Sequence, residues 1–294
     1  MGSDETAGQV LQAYVTAQAQ RLRAVAPGVR AGDDDAVHDA RVATRRLRAA
    51  LSVYRPVLDR AATEPARDEL SDLGHVLGGA RDAHVERHAL LRRLAAEDPT
   101  LVVGPIERRI DEDRTAARRI ALDQVESWLA ADRLDSLLDV LARDLPAGPA
   151  HARAAGDVLP RRARRAWRRY DDAVEAAADL PAGDELDEAL HEIRKAARRA
   201  RYASEVAAAV VGGPARRSAR RAKRVQEALG AQHDTVTRRE TLHRLALQAE
   251  ADGESTFTYG RLHALEEAAG NAAQSEARRR VDRASARGHR RWMR

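Results

Sequence analysis

The sequence predicts an all-α protein. Its 294 residues include only 18 Gly and 10 Pro, and apolar residues recur at helical spacing almost throughout. No segment shows the apolar–polar alternation of a half-buried strand. Hydrophobic residues make up 44% and aromatic residues only 3%, so Ala and Leu must build the core. A chain rich in Ala, Leu, Arg and Glu is typical of helical structure.

Five helices are expected in the first half, separated by helix breakers. Pro27-Gly28 ends the first helix, and the acidic run Asp33–Asp35 begins the second, where carboxylates cap free amides. The third helix is expected to bend at Gly78-Gly79 and to end at Asp98-Pro99. The five helices are expected at about residues 5–25, 33–55, 64–96, 106–130 and 134–145.

A linker and five further helices are expected in the second half. The stretch Pro146–Gly156 (PAGPAHARAAG) has the composition of a linker. Turns are expected at Pro181–Asp184 and at Gly212–Pro214. The helices are expected at about residues 157–178, 185–211, 215–251, 255–269 and 272–287.

Two motifs occur twice in the chain, in the same order. Val37–Arg48 (VHDARVATRRLR) aligns with Leu190–Arg201 (LHEIRKAARRAR), and the LGxxxD motif of Leu77–Asp82 aligns with Leu229–Asp234. The two offsets are nearly equal, which indicates an internal duplication. We therefore predict two pseudo-equivalent helical bundles, at residues 1–145 and 157–294, joined by a linker at 146–156. The second bundle carries a basic C-terminal tail.

Each copy of the first motif forms a basic stripe on one helical face. At 100° per residue, one histidine and three arginines of each copy fall on the same side, opposite the apolar positions. The stripes are His38, Arg41, Arg45 and Arg48, and His191, Arg194, Arg198 and Arg201. Like charges at this spacing repel, so a duplicated stripe favours an anionic ligand. The alternative is a solvated face paired with Glu and Asp of neighbouring helices.

The distribution of charge matters more than the net charge of +5. The tail from Ala277 to Arg294 carries eight Arg and one Asp, which leaves the other 276 residues at −2. Anion binding must therefore rest on local clusters. Of the 51 basic residues 49 are Arg, which binds phosphate oxygens in bidentate fashion. A codon bias towards Arg is the alternative origin of the excess as a whole.

The two stripes suit a long, flexible polyanion better than a small metabolite. Proteins that bind single-stranded nucleic acid usually offer aromatic side chains on which bases stack. This chain has one Phe, three Trp and five Tyr, a composition that favours phosphate over bases. Asp82 and Asp234 are expected to pair with stripe arginines and orient them, and helix salt bridges of little energetic value are the alternative.

The repeated segments resemble the CHAD family, the conserved histidine α-helical domain, over roughly residues 5–290. The resemblance implies two four-helix bundles about a pseudo-twofold axis, with a basic central cavity that binds inorganic polyphosphate. By position it implies these ligand residues: His38, Arg41, Arg45, Arg48, His191, Arg194, Arg198, Arg201 and Tyr202, with Arg46, Lys195, Arg199 and Lys223 as further candidates. Ser71 stands where the second copy has Lys223, so unequal halves are expected.

No catalytic residue, metal ion or cofactor is expected. His84 and His88 have metal-compatible spacing, but the second copy has Val236 and Glu240 there. The chain has no Walker loop, GxSxG motif or Cys residue. A binding protein is therefore the prediction, and a phosphate-processing enzyme with a phosphorylated histidine is an alternative.

The remaining predictions concern location and partners. No apolar run is long enough to cross a membrane, so a cytoplasmic protein is expected, either free or on polyphosphate granules. The second functional alternative is a general polyanion- or RNA-binding protein. It would use the basic segments Arg161–Arg169 and Arg216–Arg224 together with the tail.

Overall fold

The structure is a computed structural model that describes residues 5–130, 132–143, 145–181 and 183–293. The side chains of Asp184 and Arg287 and the last arginine of the predicted tail, Arg294, lie outside that description. Among the described residues there is no β-strand, which confirms the all-α prediction. Two isolated backbone bridges, Thr6 with Ala154 and Leu58 with Ala147, complete the regular structure.

Nine α-helices and three short 3₁₀ helices form the described part of the chain. The α-helices are α1 (Ala7–Arg30), α2 (Asp34–Val53), α3 (Arg60–Ala95), α4 (Ile106–Leu129), α5 (Arg133–Ala142), α6 (Ala155–Ala176), α7 (Asp184–Val211), α8 (Gly213–Ala251) and α9 (Phe257–Ser285). The 3₁₀ helices are Arg55–Val57, Pro99–Leu101 and Arg287–Met293. None of these helices has the length and hydropathy required to cross a membrane.

Two predicted helix ends are wrong, because both glycines lie where helices approach closely. Helix α1 continues past Pro27-Gly28 to Arg30, and a β-carbon on Gly28 would stand 2.7 Å from Cβ of Ala36 in α2. The two helices predicted at the C-terminal end are a single helix, α9. A β-carbon on Gly270 of α9 would stand 2.8 Å from Oγ1 of Thr235 in α8. Glycine at these positions permits close packing within a continuous helix.

Helices of the two halves follow the same order. Helices α1–α4 pack each on the next, as do α6–α9, and α2 packs against α7 between the halves. The principal hydrophobic core nevertheless crosses the predicted boundary, since it joins Leu11 and Leu47 to Leu159 and Val206. The division into bundles at 1–145 and 157–294 stays a prediction, with core residues shared between them.

The predicted linker is held firmly by backbone hydrogen bonds. The amide of Ala7 donates to the carbonyl of Arg153 at 2.8 Å, and the amide of Asp59 donates to the carbonyl of Pro146 at 2.7 Å. Gly148 lies so close to the preceding turn that a β-carbon there would stand 2.4 Å from the carbonyl oxygen of Leu58. The linker therefore ties the start of α1 to the turn between α2 and α3.

An ion-pair network joins α3, α4, α8 and α9. Glu266 of α9 is 1% exposed and accepts hydrogen bonds from Arg238 at 2.7 Å and from Arg93 at 3.1 Å. Glu86 of α3 accepts from Arg114 at 2.7 Å and from Thr241 at 2.5 Å. Each buried carboxylate is thus satisfied by partners from two other helices.

The basic tail is partly buried. Arg290 is 9% exposed, donates from Nη1 to both carboxylate oxygens of Asp171 at 2.7 and 2.8 Å, and stacks 4.1 Å from the ring centroid of Trp167. Trp292 donates its indole N–H to Oγ of Ser218 at 3.0 Å. The predicted tail is therefore a packed segment that covers α6 and α8, and Arg290 is a structural cation.

Candidate functional site

A groove of about 520 Å³ lies where both copies of the repeated motifs meet. Helices α2 and α3 supply one wall, and α7 and α8 supply the other. Six of the predicted site residues line it: His38, Arg41, Arg45, Arg194, Asp82 and Asp234. The groove lining among the described residues holds no aromatic side chain other than the histidines.

The LGxxxD glycines let stripe arginines cross the third helix of each copy. Nη1 of Arg41 donates to the carbonyl of Gly78 at 2.9 Å and to Oδ1 of Asp82 at 2.7 Å. A β-carbon on Gly78 would stand 3.7 Å from Nη1 of Arg41, and one on Gly230 would stand 3.5 Å from Nη2 of Arg194. Both guanidinium groups therefore lie over bare backbone, where a β-carbon would be in ordinary van der Waals contact with them.

The two copies differ in how the motif carboxylate is used. Asp82 pairs with Arg41. Asp234 lines the groove, but within the described residues no ion pair joins it to Arg194. The role of orienting residue predicted for Asp82 and Asp234 stays a prediction, with a contact of the expected kind at Asp82.

Arg45 and Arg198 lie at the centre of the basic surface, where the two stripes converge. Burial lowers the pKa of Arg45, and the nearby charges of Arg41, Arg201 and Arg194 lower it further. Nε of Arg45 is buried without a hydrogen-bond partner.

Desolvation of its guanidinium lowers the pKa of Arg198 to about 10, and the charges of Arg45, Arg48 and Arg194 add to that effect. Within the described chain, neither Arg45 nor Arg198 has a carboxylate partner. Both remain cationic at neutral pH, so the stripes concentrate uncompensated positive charge.

Arg48 extends this surface along α3. Burial lowers its pKa, and the charge of Arg67 lowers it further. A β-carbon on Gly74 would stand 3.2 Å from Nη1 of Arg48, so this arginine also crosses α3 at a glycine.

Both motif histidines are exposed beside cations. Partial desolvation of the His38 ring lowers its pKa, and the charges of Arg81 and Arg45 lower it further. Burial and then the charge of Lys195 lower the pKa of His191, whose ring centroid lies 6.4 Å from that of His233. The imidazoles are therefore neutral at pH 7 in the absence of an anion.

Three predicted residues line a second hollow of about 500 Å³: Arg46, Arg201 and Lys223. Glu205 of α7 accepts from Nε of Arg46 at 3.0 Å and from Nε of Arg201 at 2.8 Å, so one carboxylate bridges the two halves. Nη1 of Arg201 also donates to Gln226, which lines the groove. This hollow, with its additional Arg216 and Arg220, therefore adjoins the groove.

The other predicted residues lie at the edges of the site. Tyr202 is 1% exposed and its hydroxyl is buried, so it does not reach the groove. Instead, the centroid of its ring lies 5.0 Å from Cζ of Arg201, so the ring packs against that guanidinium. Lys195 pairs with Glu192 one turn earlier on α7, and Arg199 is exposed beside it.

Two basic residues in equivalent places, Arg81 and His233, were not among the predicted site residues. Each lines the groove and faces the motif histidine of its own copy, as the lowered pKa values of His38 and His191 indicate. Each directly precedes the Asp of LGxxxD. A basic residue at that position in both copies was the signal that could have revealed them.

No group of three metal-ligating side chains is found in the described residues. Nδ1 of His84, whose spacing from His88 is metal-compatible, lies 2.8 Å from Oδ2 of Asp34. This contact ties the middle of α3 to the start of α2.

Comparison with known proteins supports the architecture. PptA from Streptomyces chartreusis has a similar structure, with a TM-score of 0.77 and 24% sequence identity over 95% of this chain and 100% of that chain. The CHAD domain from the plant Ricinus communis gives a TM-score of 0.61 at 21% identity, over 99% of this chain and 93% of that chain. At these identities the similarity establishes the fold alone.

Sequence comparison establishes the family. Two curated Mycobacterium tuberculosis proteins, from strains CDC 1551 and H37Rv and both named as uncharacterized, are 37% identical over 255 residues, or 86% of this chain. The chain spans about half the length of these relatives, since the match covers 48% of each. The sequence profile of the CHAD domain matches residues 13–243. The chain therefore belongs to the CHAD domain family, which confirms the resemblance noted in its repeated motifs.

Proposed function

We propose that this protein binds inorganic polyphosphate in the groove between α2, α3, α7 and α8, without chemical turnover. The observation that carries the proposal is the convergence of Arg45 and Arg198, cations from both halves that lack carboxylate partners. Holding like charges together is unfavourable unless an anion compensates them. A linear chain of phosphates would contact both stripes at once, whereas a single phosphate would neutralise only part of the surface.

The lining chemistry favours phosphate oxygens over bases. Guanidinium groups offer paired donors, and a nearby polyanion would favour protonation of His38 and His191. The groove lining has no Phe, Tyr or Trp among the described residues on which bases could stack. We therefore prefer polyphosphate to RNA as the ligand of this groove, and general polyanion binding is the alternative that the experiment must exclude. Association with polyphosphate granules stays a prediction.

A competition titration tests the proposal. Fluorescently labelled long-chain polyphosphate is bound at several salt concentrations and challenged with orthophosphate, triphosphate, RNA and duplex DNA. We expect tight, salt-dependent binding that RNA and DNA displace poorly at matched phosphate. Displacement by RNA or DNA as effective as by polyphosphate would show a general polyanion binder instead.

Paired variants locate the site. Replacing Arg45 and Arg198 by Gln removes two charge-assisted contacts, so we expect affinity to fall by about 100-fold or more. The matched control is Arg60→Gln with Arg108→Gln, which removes two exposed arginines whose partners are Glu64 and Glu112. Equal affinity of the two double variants would exclude the groove as the binding site.

Absence of turnover is tested separately. Incubation with long-chain polyphosphate should leave the chain-length distribution unchanged and no acid-labile phosphate on His38 or His191. Shortened chains or a phosphorylated histidine would contradict the non-catalytic proposal and favour a phosphate-processing enzyme.

A further inference from the structure

A second cluster of unpaired arginines covers the face formed by α6, the first half of α8 and the C-terminal 3₁₀ helix. Three hollows lie side by side on this face. Arg164 lines both the first and the second hollow, and Arg291 lines both the second and the third. The hollows therefore form one continuous row. Its cationic lining, apart from the structural Arg290, is Arg161, Arg164, Arg168, Arg291, Arg217 and Arg221.

The charge of this outer face is largely uncompensated. In the described chain, no carboxylate lies within ion-pair distance of these six arginines, although exposed arginines elsewhere commonly have such partners. Asp171, which lines the second hollow, already holds Arg290. Arg221 donates to the carbonyl of Arg283 and to His289, which positions it without neutralising it.

Helix α8 connects the outer face to the groove side of the molecule. Arg216 and Arg220 line the hollow that also contains Arg46 and Arg201, and the adjacent residues Arg217 and Arg221 line the third outer hollow. At 100° per residue, the basic residues from Arg216 to Arg224 cover roughly 160° of the helix circumference. The opposite side of this segment is buried. Cationic surface therefore runs from the groove, around α8, to the outer face.

We propose that the outer face is a second phosphate-binding track, which holds the part of a long polyphosphate chain that extends beyond the groove. This inference rests on the proposed function, because it assigns the same polymer to both surfaces. A flexible chain can follow a surface that curves around a helix, and each additional segment binds at the high effective concentration set by the first. Two tryptophans line these hollows: Trp167 is 1% exposed, and Trp292 is half-buried with its indole N–H donated to Ser218.

The test compares three variants across ligand lengths. The outer variant is Arg164→Gln, Arg168→Gln and Arg291→Gln. The groove variant is Arg45→Gln with Arg198→Gln. The control variant is Arg23→Gln, Arg60→Gln and Arg108→Gln, exposed arginines with carboxylate partners. Dissociation constants are measured for triphosphate, for a size-fractionated series of polyphosphates and for duplex DNA, at several salt concentrations.

The outer variant should bind triphosphate and short chains as the wild type does. For the longest chains it should bind about tenfold more weakly, and the slope of log affinity against log salt should fall by about two. The groove variant should lose affinity at every length. An outer variant that matches the control at all lengths would overturn the proposal.

Two further outcomes distinguish a polyphosphate track from a nucleic-acid surface and from failure of the groove as a binding site. If the outer variant loses affinity for duplex DNA but keeps full affinity for long polyphosphate, the face is a nucleic-acid surface and the proposal is wrong. If the wild type binds no polyphosphate of any length, the proposed function itself fails. That result differs from failure of the outer track alone, in which short chains bind normally and the effect of the outer variant does not depend on chain length.

Discussion

Two arginine-rich regions of this molecule have opposite electrostatics. In the network between α3, α4, α8 and α9, Arg93 and Arg238 share the buried Glu266. On the basic surface at the groove, Arg45 and Arg198 lie near other cations and neither forms an ion pair with a carboxylate in the described chain. The residue type is the same in both regions, so the presence of an internal partner distinguishes arginines that hold the fold from arginines available to a ligand.

The largest expected effect tests the structural side of this comparison. Glu266→Gln would leave two arginines beside a neutral side chain in a buried place, and we expect the free energy of unfolding to fall by about 3 kcal/mol. The adjacent Glu267→Gln is the control, because its carboxylate is exposed and lies 4.0 Å from Arg239. Urea unfolding of both variants measures the difference. Equal stability of the two would mean that the network contributes little to the fold.

Adjacent arginines of the tail sharpen the comparison. Arg290 is buried against Trp167 and pairs with Asp171, whereas Arg291 is exposed and lines two outer hollows. Arg290→Gln should lower the unfolding free energy by about 2 kcal/mol, and Arg291→Gln should change it by less than about 0.5 kcal/mol. Thermal and urea unfolding measure both variants. A larger loss for Arg291→Gln would contradict its assignment to the outer face.

The groove histidines predict a pH dependence of binding. The pKa values of His38 and His191 are lowered in the free protein, so both rings are neutral at pH 7. Their cationic neighbours are Arg81 and Arg45 for His38, and Lys195 for His191. A polyanion would raise these pKa values, so binding takes up protons and affinity rises as pH falls from 7 to 5.

Polyphosphate titrations between pH 5 and pH 8 measure that dependence. Replacing both histidines by Gln should flatten it and leave affinity at pH 8 close to that of the wild type. A pH dependence that survives in the double variant would assign the proton uptake to other groups.

The smallest expected effect concerns the stability of the groove itself. Arg198→Gln removes one of several like charges, so we expect unfolding free energy to stay the same or to rise by a few tenths of a kcal/mol. Urea unfolding at low salt measures this change. A loss above about 1 kcal/mol would mean that Arg198 supports the fold in the same way as Arg238.

The fold was largely predictable, because helical periodicity and the repeated motifs are strong local signals. The errors in the predicted helix ends came from packing between helices, which the sequence of a single segment does not reveal. Pro27-Gly28 predicts a helix end and a break is expected between residues 269 and 272, but Gly28 and Gly270 each permit a close approach between two helices. A glycine within a helix costs only about 1 kcal/mol relative to Ala, which tertiary contacts readily offset.

The site was predictable only in part, for a similar reason. Spacing within α2 and α7 identified the stripe arginines, because residues on one helical face are neighbours. Spacing did not reveal that Tyr202 is buried or that Arg201 and Arg46 share Glu205. Those contacts depend on how α2 packs against α7. Arg81 and His233 were overlooked because the repeated carboxylate that follows each of them is the stronger signal in the sequence.

The linker at 146–156, which ties the start of α1 to the turn between α2 and α3, has a consequence for synthesis. Ala7 emerges early from the ribosome, but its acceptor, the carbonyl of Arg153, is made 146 residues later. At 5–20 residues per second, the nascent chain waits roughly 7–30 s before this hydrogen bond at the start of α1 can form. During that time the apolar side of α1, including Leu11 and Val15, has no complete surface to cover it. A truncated chain that ends at residue 145 would lack the part of this surface that α6 and α7 supply, and is expected to be captured by chaperones or to aggregate.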